Sequence, residues 1–141
     1  MNAELIAVGT EILLGDIVNT DAQVISQGLS ELGINVFYQT VVGDNPARLR
    51  HVIETARDRA DIIIPTGGLG PTLDDLTKET LATVFGRKMA LHQPSLDRIK
   101  GFFQTIGREM TPNNEKQAWL PEGCTVFVNE WGTAPGCAFE A

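Results

Sequence analysis

A glycine-rich segment in the middle of the chain carries the strongest chemical signal. It reads Thr66-Gly67-Gly68-Leu69-Gly70-Pro71-Thr72, and two carboxylates, Asp74 and Asp75, follow it. Glycines allow positive φ angles and close approach to a ligand, where successive N–H groups hold an anion. The glycines alone fit a tight strand-to-helix turn equally well, but a carboxylate beside a phosphate calls for a bridging divalent cation. We therefore predict a phosphate site with a metal at Asp75, with Asp74 capping the next helix or assisting as a ligand.

Three further polar loops also follow predicted strands. They are Gly9 to Glu11, Val42 to Asp44, and Asn129 to Gly136. In parallel sheets ligands bind beyond the carboxyl ends of the strands, so we expect all four loops at one rim of the molecule. Asp44 on its own fits helix capping as well as a role in a site.

Apolar runs and helical periodicities predict the elements that position these loops. Asn19, Thr20 or Asp21 would cap the first long helix, Gly33 would end it, and Asn45 with Pro46 would open the next. Strands are predicted at 4–8, 34–42, 62–64, 125–128 and 137–139, and helices at 20–32, 46–60, from 74 to 85, 94–106 and 111–119. The order favours right-handed crossovers and a parallel sheet covered on both faces. We therefore predict one α/β domain over residues 1–141, with three layers (α/β/α) and a mostly parallel sheet.

Composition excludes several classes of protein. The 141 residues include 11 Lys and Arg against 18 Asp and Glu, a net charge of −7, which argues against nucleic-acid binding. No apolar run reaches the roughly 18 residues that cross a bilayer, and no signal peptide is recognisable, so no membrane partner is expected. Cys124 and Cys137 lack metal-ligand spacing and indicate reduced thiols in a cytoplasmic protein.

Other catalytic patterns are missing from the sequence. There is no GxxxxGK[ST] phosphate loop, no GxGxxG after the first strand and no GxSxG elbow. We place both histidines, His51 and His92, at the surface. Trp119 is expected in the core, whereas Trp131, in the loop before Gly132, is a candidate wall for a ligand ring.

Four motifs together resemble the N-terminal domain of the CinA (competence/damage-inducible) family, which is similar to the MoaB/Mog type of molybdopterin-binding domain. They are 9–15 (GTEILLG) with Asn19-Thr20, 66–72 (TGGLGPT), 74–79 (DDLTKE) and 132–136 (GTAPG). The resemblance covers essentially the whole chain. It implies a MoaB/Mog-like fold whose C-terminal part is missing here, because the family's domain runs on through another strand and loop. An unfinished sheet edge would favour a homodimer.

The resemblance also implies an activity, a metal-dependent ADP-ribose pyrophosphatase that yields AMP and ribose 5-phosphate. Asp44 and Asp75 would be catalytic, Asp75 and Asp74 would hold Mg²⁺ or Co²⁺, and K⁺ is a further candidate cofactor. The predicted ligand-binding residues are Thr10, Glu11, Gly67, Gly68, Leu69, Gly70, Asn129, Gly132, Thr133, Ala134, Pro135 and Gly136. The alternatives are a non-catalytic module that binds a molybdopterin or a nucleotide, and a regulatory fragment that acts through protein contacts.

Overall fold

A three-stranded parallel sheet organises the N-terminal part of the chain. The computed structural model describes residues 1–141 and divides them into two compact units, Met1–Gly68 and Leu69–Ala141. In the first unit the strands are β1 (Asn2–Val8), β2 (Asn35–Val42) and β3 (Ile62–Thr66). Their order is β2-β1-β3 and both pairings are parallel, so the predicted parallel sheet is confirmed.

Two of the three helices of this unit begin where capping residues predict them. The three helices are α1 (Thr10–Leu13), α2 (Thr20–Glu31) and α3 (Pro46–Arg57), and the two predicted ones are α2 and α3. The side chains of Asn19 and Asn45 each accept a backbone N–H from the first turn of α2 and α3, which is the usual stabilising role of an N-cap. The short α1 was not predicted, because the sequence indicated only a loop there.

The central strand β1 is buried along almost its whole length. Ala3 and Leu5 pack with Leu29 of α2 in an apolar cluster. Between them the Glu4 side chain is fully buried, and its carboxylate accepts two hydrogen bonds from Arg59, at 2.8 and 2.7 Å, and one from Thr40 at 3.0 Å. The predicted apolar strand thus contains a buried acid, which these partners satisfy.

The second unit contains two antiparallel ribbons, two α-helices and one 3₁₀ helix. The sequence predicted three helices in this part of the chain, and the third of them is the 3₁₀ helix. Its elements are α4 (Thr77–Val84), β4 (Met89–Leu91), α5 (Gln93–Thr105), the 3₁₀ helix (Pro112–Ala118), β5 (Trp119–Pro121), β6 (Thr125–Phe127) and β7 (Gly136–Ala138). Strands β4 and β5 pair antiparallel, as do β6 and β7. Strands β6 and β7 form a hairpin, because the loop between them is too short for a parallel crossover.

Local hydrogen bonds set the start of two helices in this unit. Helix α4 begins at Thr77 and not near Asp74, because the N–H of Asp75 donates to the Thr72 carbonyl and closes a turn there. Helix α5 begins after His92, whose Nδ1 accepts the N–H of Ser95 at 3.3 Å. None of the helices combines the length and the apolar character that crossing a bilayer requires.

Candidate functional site

Two loops at the carboxyl ends of β1 and β2 are joined by reciprocal hydrogen bonds. The N–H of Thr10 donates to Asp44 Oδ2 at 3.2 Å, and the N–H of Asp44 donates to Thr10 Oγ1 at 3.1 Å. A Cβ on Gly43 would lie only 3.2 Å from Thr10 Oγ1, so the loops are in close contact. The structure therefore brings Thr10 and Asp44 together, and Asn45, not Asp44, caps α3.

The end of β3 lies against the same end of β1. Gly67 has φ 82° and Gly68 has φ 64°, both in the left-handed region. A Cβ on Gly67 would collide with the carbonyl oxygen of Val8, the last residue of β1. Glu11 folds back toward this end, since a Cβ on Gly9 would lie 2.6 Å from Glu11 Oε1. We call Thr10, Glu11, Asp44, Gly67 and Gly68 the strand-end cluster.

In the second unit, residues 70–75 form a turn that is held by the carboxylate of Asp75. Its Oδ2 accepts the N–H of Thr72 at 2.9 Å and the Thr72 hydroxyl at 2.5 Å. A Cβ on Gly70 would lie 2.7 Å from the same oxygen. Partial burial raises the pKa of Asp75, but hydrogen bonds from Thr72 and Gly70 and the charge of Lys116 outweigh that effect, so the pKa lies below its ordinary 3.8. The Asp75 carboxylate therefore stabilises the conformation of its own loop.

The depressed pKa of Asp75 predicts a pH-dependent contribution to stability. A carboxyl with a lowered pKa in the folded state stabilises it fully above the unfolded pKa, here near 3.8, and loses that effect as the pH falls through the folded pKa. We expect the gap in unfolding free energy between the parent chain and Asp75→Asn to be constant from pH 7 to 5 and to shrink below pH 3.8. Urea unfolding at each pH measures it, and a gap independent of pH would contradict the assignment.

The 3₁₀ helix supplies two contacts that sequence reasoning missed. Lys116 Nζ donates to the carbonyls of Thr72, at 2.6 Å, and of Asp75. The next residue, Gln117, is 1% exposed, and its Oε1 accepts the Thr133 hydroxyl at 2.7 Å. Adjacent residues of one short helix therefore hold two predicted ligand loops of this unit. The polar run at 113–117 was the available signal, but nothing in its spacing indicates what it contacts.

The loop between β6 and β7 is shaped by Asn129. Its Oδ1 accepts the N–H groups of Trp131 and Gly132 at 2.9 and 3.0 Å, and its Nδ2 donates to the Ala134 carbonyl at 3.0 Å. Trp131 is 97% exposed. Pro135 is buried, so its side chain packs inside the unit.

The predicted residues thus fall into three groups. The strand-end cluster belongs to the first unit, whereas the turn at 70–75 and the loop at 129–136 belong to the second, with Leu69 half-buried and Asp74 exposed beside the turn. The meeting of all four loops at one rim stays a prediction. So does the metal at Asp75 and Asp74: no three His, Cys, Asp or Glu side chains are grouped so as to hold an ion, and Thr72 occupies Asp75 Oδ2, so we derive no step from a metal.

Comparison with known proteins places the chain among named relatives. A family model described as a probable molybdopterin binding domain matches residues 4–140. A CinA-like protein of Dictyoglomus thermophilum is 54% identical over 99% of the chain, and a relative from Acetivibrio thermocellus, named for competence-damage induction, is 61% identical over the same share. The chain spans about a third of the length of these curated relatives, 34% in both cases.

Solved structures give the same result for the fold. The protein CinA of Thermoplasma acidophilum, described as of unknown function, matches with a TM-score of 0.85 and 36% identity over 96% of this chain and 79% of its own. MoaB of Thermus thermophilus matches with a TM-score of 0.57 and 20% identity over 79% and 67% of the two chains, which is a likeness of fold alone. The predicted α/β class with a mostly parallel sheet, the MoaB/Mog-like fold and the CinA resemblance are confirmed.

The predicted enzymatic activity is corrected by the same findings. The matching family is described by molybdopterin binding, and the curated relatives carry CinA-like and competence-damage names. The prediction of a metal-dependent ADP-ribose pyrophosphatase, and of an enzyme, is wrong. The findings favour the alternative, a module that binds a molybdopterin or a nucleotide.

Proposed function

Because the chain belongs to the family of probable molybdopterin binding domains, we propose that it is a non-catalytic module that binds a phosphate-bearing pterin or nucleotide. The observation that carries the proposal is the match of this family over residues 4–140. The loops described above supply the chemistry. The name of the family supports the ligand class, and the turn at 70–75 supports a site for its phosphate.

The turn at 70–75 supports the proposal through its charge balance. The carboxylate of Asp75 alone would repel a phosphate. Lys116 places an ammonium group on the carbonyls of Thr72 and Asp75, so it offsets part of the negative charge of Asp74 and Asp75. The N–H groups of Gly70 and Thr72 donate to Asp75, so we assign the attraction for a phosphate to the Lys116 ammonium. Asp75 is therefore a positioning residue, which keeps Thr72 and the turn in one conformation.

Binding of a phosphate ligand is expected to depend on that conformation. In Gly70→Ala the new Cβ would lie 2.7 Å from Asp75 Oδ2 and would displace it from Thr72. We expect the dissociation constant for anaerobically prepared molybdopterin, or for AMP, to rise about tenfold, the equivalent of one charge-assisted hydrogen bond. Isothermal titration calorimetry measures the constant.

A matched control is Gly101→Ala in α5, where a Cβ would meet no atom within 4 Å. It should leave the dissociation constant unchanged. Equal affinities of the two variants would remove the turn from the site. If the parent chain binds neither molybdopterin nor AMP at millimolar concentration, the proposed function itself is overturned. Dimerisation, predicted above, is a further proposal that light scattering during the same titration tests.

A further inference from the structure

An open groove of about 570 Å³ lies within the second unit. It is lined by Glu79, Met89, Pro112, Glu115, Lys116 and Trp119. The volume is in the range of small-molecule sites. Nothing in the sequence marked this groove, because its walls come from α4, β4, the 3₁₀ helix and β5, which are separated along the chain.

One wall of the groove carries an acid with an unused oxygen. Glu79 Oε2 is buried and has no hydrogen-bond partner. A buried carboxylate oxygen without a donor is costly, because it has lost its hydrogen bonds to water. Glu79 lines the groove. A ligand that brings N–H donors to this oxygen would therefore gain more than it would at an exposed acid.

A second wall is an indole ring. Trp119 was expected in the core, but it lies on β5 and is 39% exposed. Met89 pairs with Pro121, two residues from Trp119, so both side chains are on the same face of the ribbon. The indole N–H points to Glu115 Oε1 at a long 3.4 Å. A flat aromatic face flanked by apolar side chains is suited to stacking with a planar ring.

The charges of the groove select for hydrogen-bond donors. The lining of the groove includes two carboxylates, Glu79 and Glu115, and one ammonium, Lys116. The hydrogen bonds of Lys116 go to the carbonyls of Thr72 and Asp75. The net charge of the lining is negative. A planar ring that presents adjacent N–H groups, and no negative charge of its own, fits these walls.

We propose that this groove binds the 2-amino-4-oxopyrimidine edge that pterins and guanine share. The ring N–H and the 2-amino group donate to the Glu79 carboxylate, and the ring stacks on Trp119. The inference rests on the proposed function, since it assigns the ring of the ligand, while the turn at 70–75 is assigned the phosphate. Lys116 belongs to both, because it lines the groove and holds that turn.

The test uses ligand pairs that differ in the 2-amino group. Pterin is compared with lumazine, which carries an oxygen there, and guanosine with inosine, which carries hydrogen. A site built to accept hydrogen bonds discriminates strongly against a ligand that lacks the donor. We expect calorimetry on the parent chain to show at least about tenfold tighter binding of the amino compound in each pair. Whichever of pterin and guanosine binds more tightly identifies the class of ligand that supplies the ring.

Variants test which side chains of the groove contact the ring of the ligand. Glu79→Gln should weaken pterin binding about tenfold, because a charged acceptor is lost, whereas Glu109→Gln, at an exposed acid, should leave it unchanged. Trp119→Leu should weaken pterin and lumazine equally, whereas Phe37→Leu, at an exposed aromatic residue of the first unit, should affect neither. Equal binding of pterin and lumazine by the parent chain would overturn the inference whether or not any variant folds.

The failure of this inference is distinguishable from failure of the proposed function. Tight binding of molybdopterin with no preference for pterin over lumazine would refute the groove and leave the proposed function standing. Preference for pterin with no binding of molybdopterin or AMP would refute the proposed function and support the groove.

Discussion

Replacing Lys78 by methionine is expected to lower the free energy of unfolding by about 3 kcal/mol, the upper part of the range for unsatisfied buried groups. Lys78 is 2% exposed, and its Nζ donates to the carbonyls of Gln117 and Trp119 at 3.0 Å each and to that of Lys116 at 3.3 Å. Methionine has a similar length but leaves these carbonyls without the ammonium. Urea unfolding at neutral pH measures the change.

The expected loss is smaller than three separate hydrogen bonds because the buried ammonium is itself costly. Desolvation lowers the pKa of Lys78 although the charge of Glu79 raises it, so the folded state already bears a penalty for this charge. The matched control is Lys100→Met at an exposed position of α5, where we expect a change within about 0.5 kcal/mol. Equal unfolding free energies for the two variants would contradict the role of Lys78.

The consequence of Lys78→Met for binding follows from its partners. The three carbonyls belong to the end of the 3₁₀ helix and the start of β5, the segment that carries Lys116, Gln117 and Trp119. Loosening this segment would disturb the turn at 70–75 and the groove together. A stabilising lysine in α4 thus supports both proposed parts of the ligand site.

Gly67→Ala is expected to have the other large effect, a loss of about 4 kcal/mol or more, since large values arise from strain at a special backbone position. Gly67 has φ 82°, and a Cβ there would collide with the carbonyl oxygen of Val8. The end of β3 would have to move away from β1. The midpoint and the slope of urea unfolding report the change.

A second glycine separates the two causes of this loss. Gly33, after α2, has a similar φ of 72° but open space around the position of a Cβ. Gly33→Ala should therefore cost only the left-handed conformation, about 1 kcal/mol. If both variants lose the same amount, the backbone collision at Gly67 is unimportant and the close contact of β3 with β1 is not what requires glycine there.

Predictions from local signals were accurate where neighbours in sequence supply the interaction. The caps at Asn19 and Asn45, Pro46 at the first turn of α3 and the positive φ of Gly33 all follow from residues within a few positions. The start of α4 was misplaced even though its cause is local, because the pairing of Thr72 with Asp75 competes with the helix and the sequence does not rank the two.

Predictions failed where the partner is distant. Trp119 was assigned to the core because its neighbours are apolar, but the exposure of a residue on a short ribbon depends on what packs against that ribbon. The metal predicted at Asp75 stays a prediction. The approach of Lys116 Nζ to the Asp75 carbonyl, over a separation of 41 residues, could not be predicted, because it depends on the closure of the turn in the folded unit.

The amino-acid sequence was enough to predict the parallel sheet of β1, β2 and β3, the capped helices, and the membership of the CinA-like family with its MoaB-like fold. Periodicity, caps and glycine motifs each depend on residues that are close together in the sequence. It could not establish that Lys116 and Gln117 hold two loops, that Lys78 is buried on three carbonyls, or that Glu79 and Trp119 line one groove. Those contacts join residues far apart in the chain, and their energies exist only once packing has excluded water from between them.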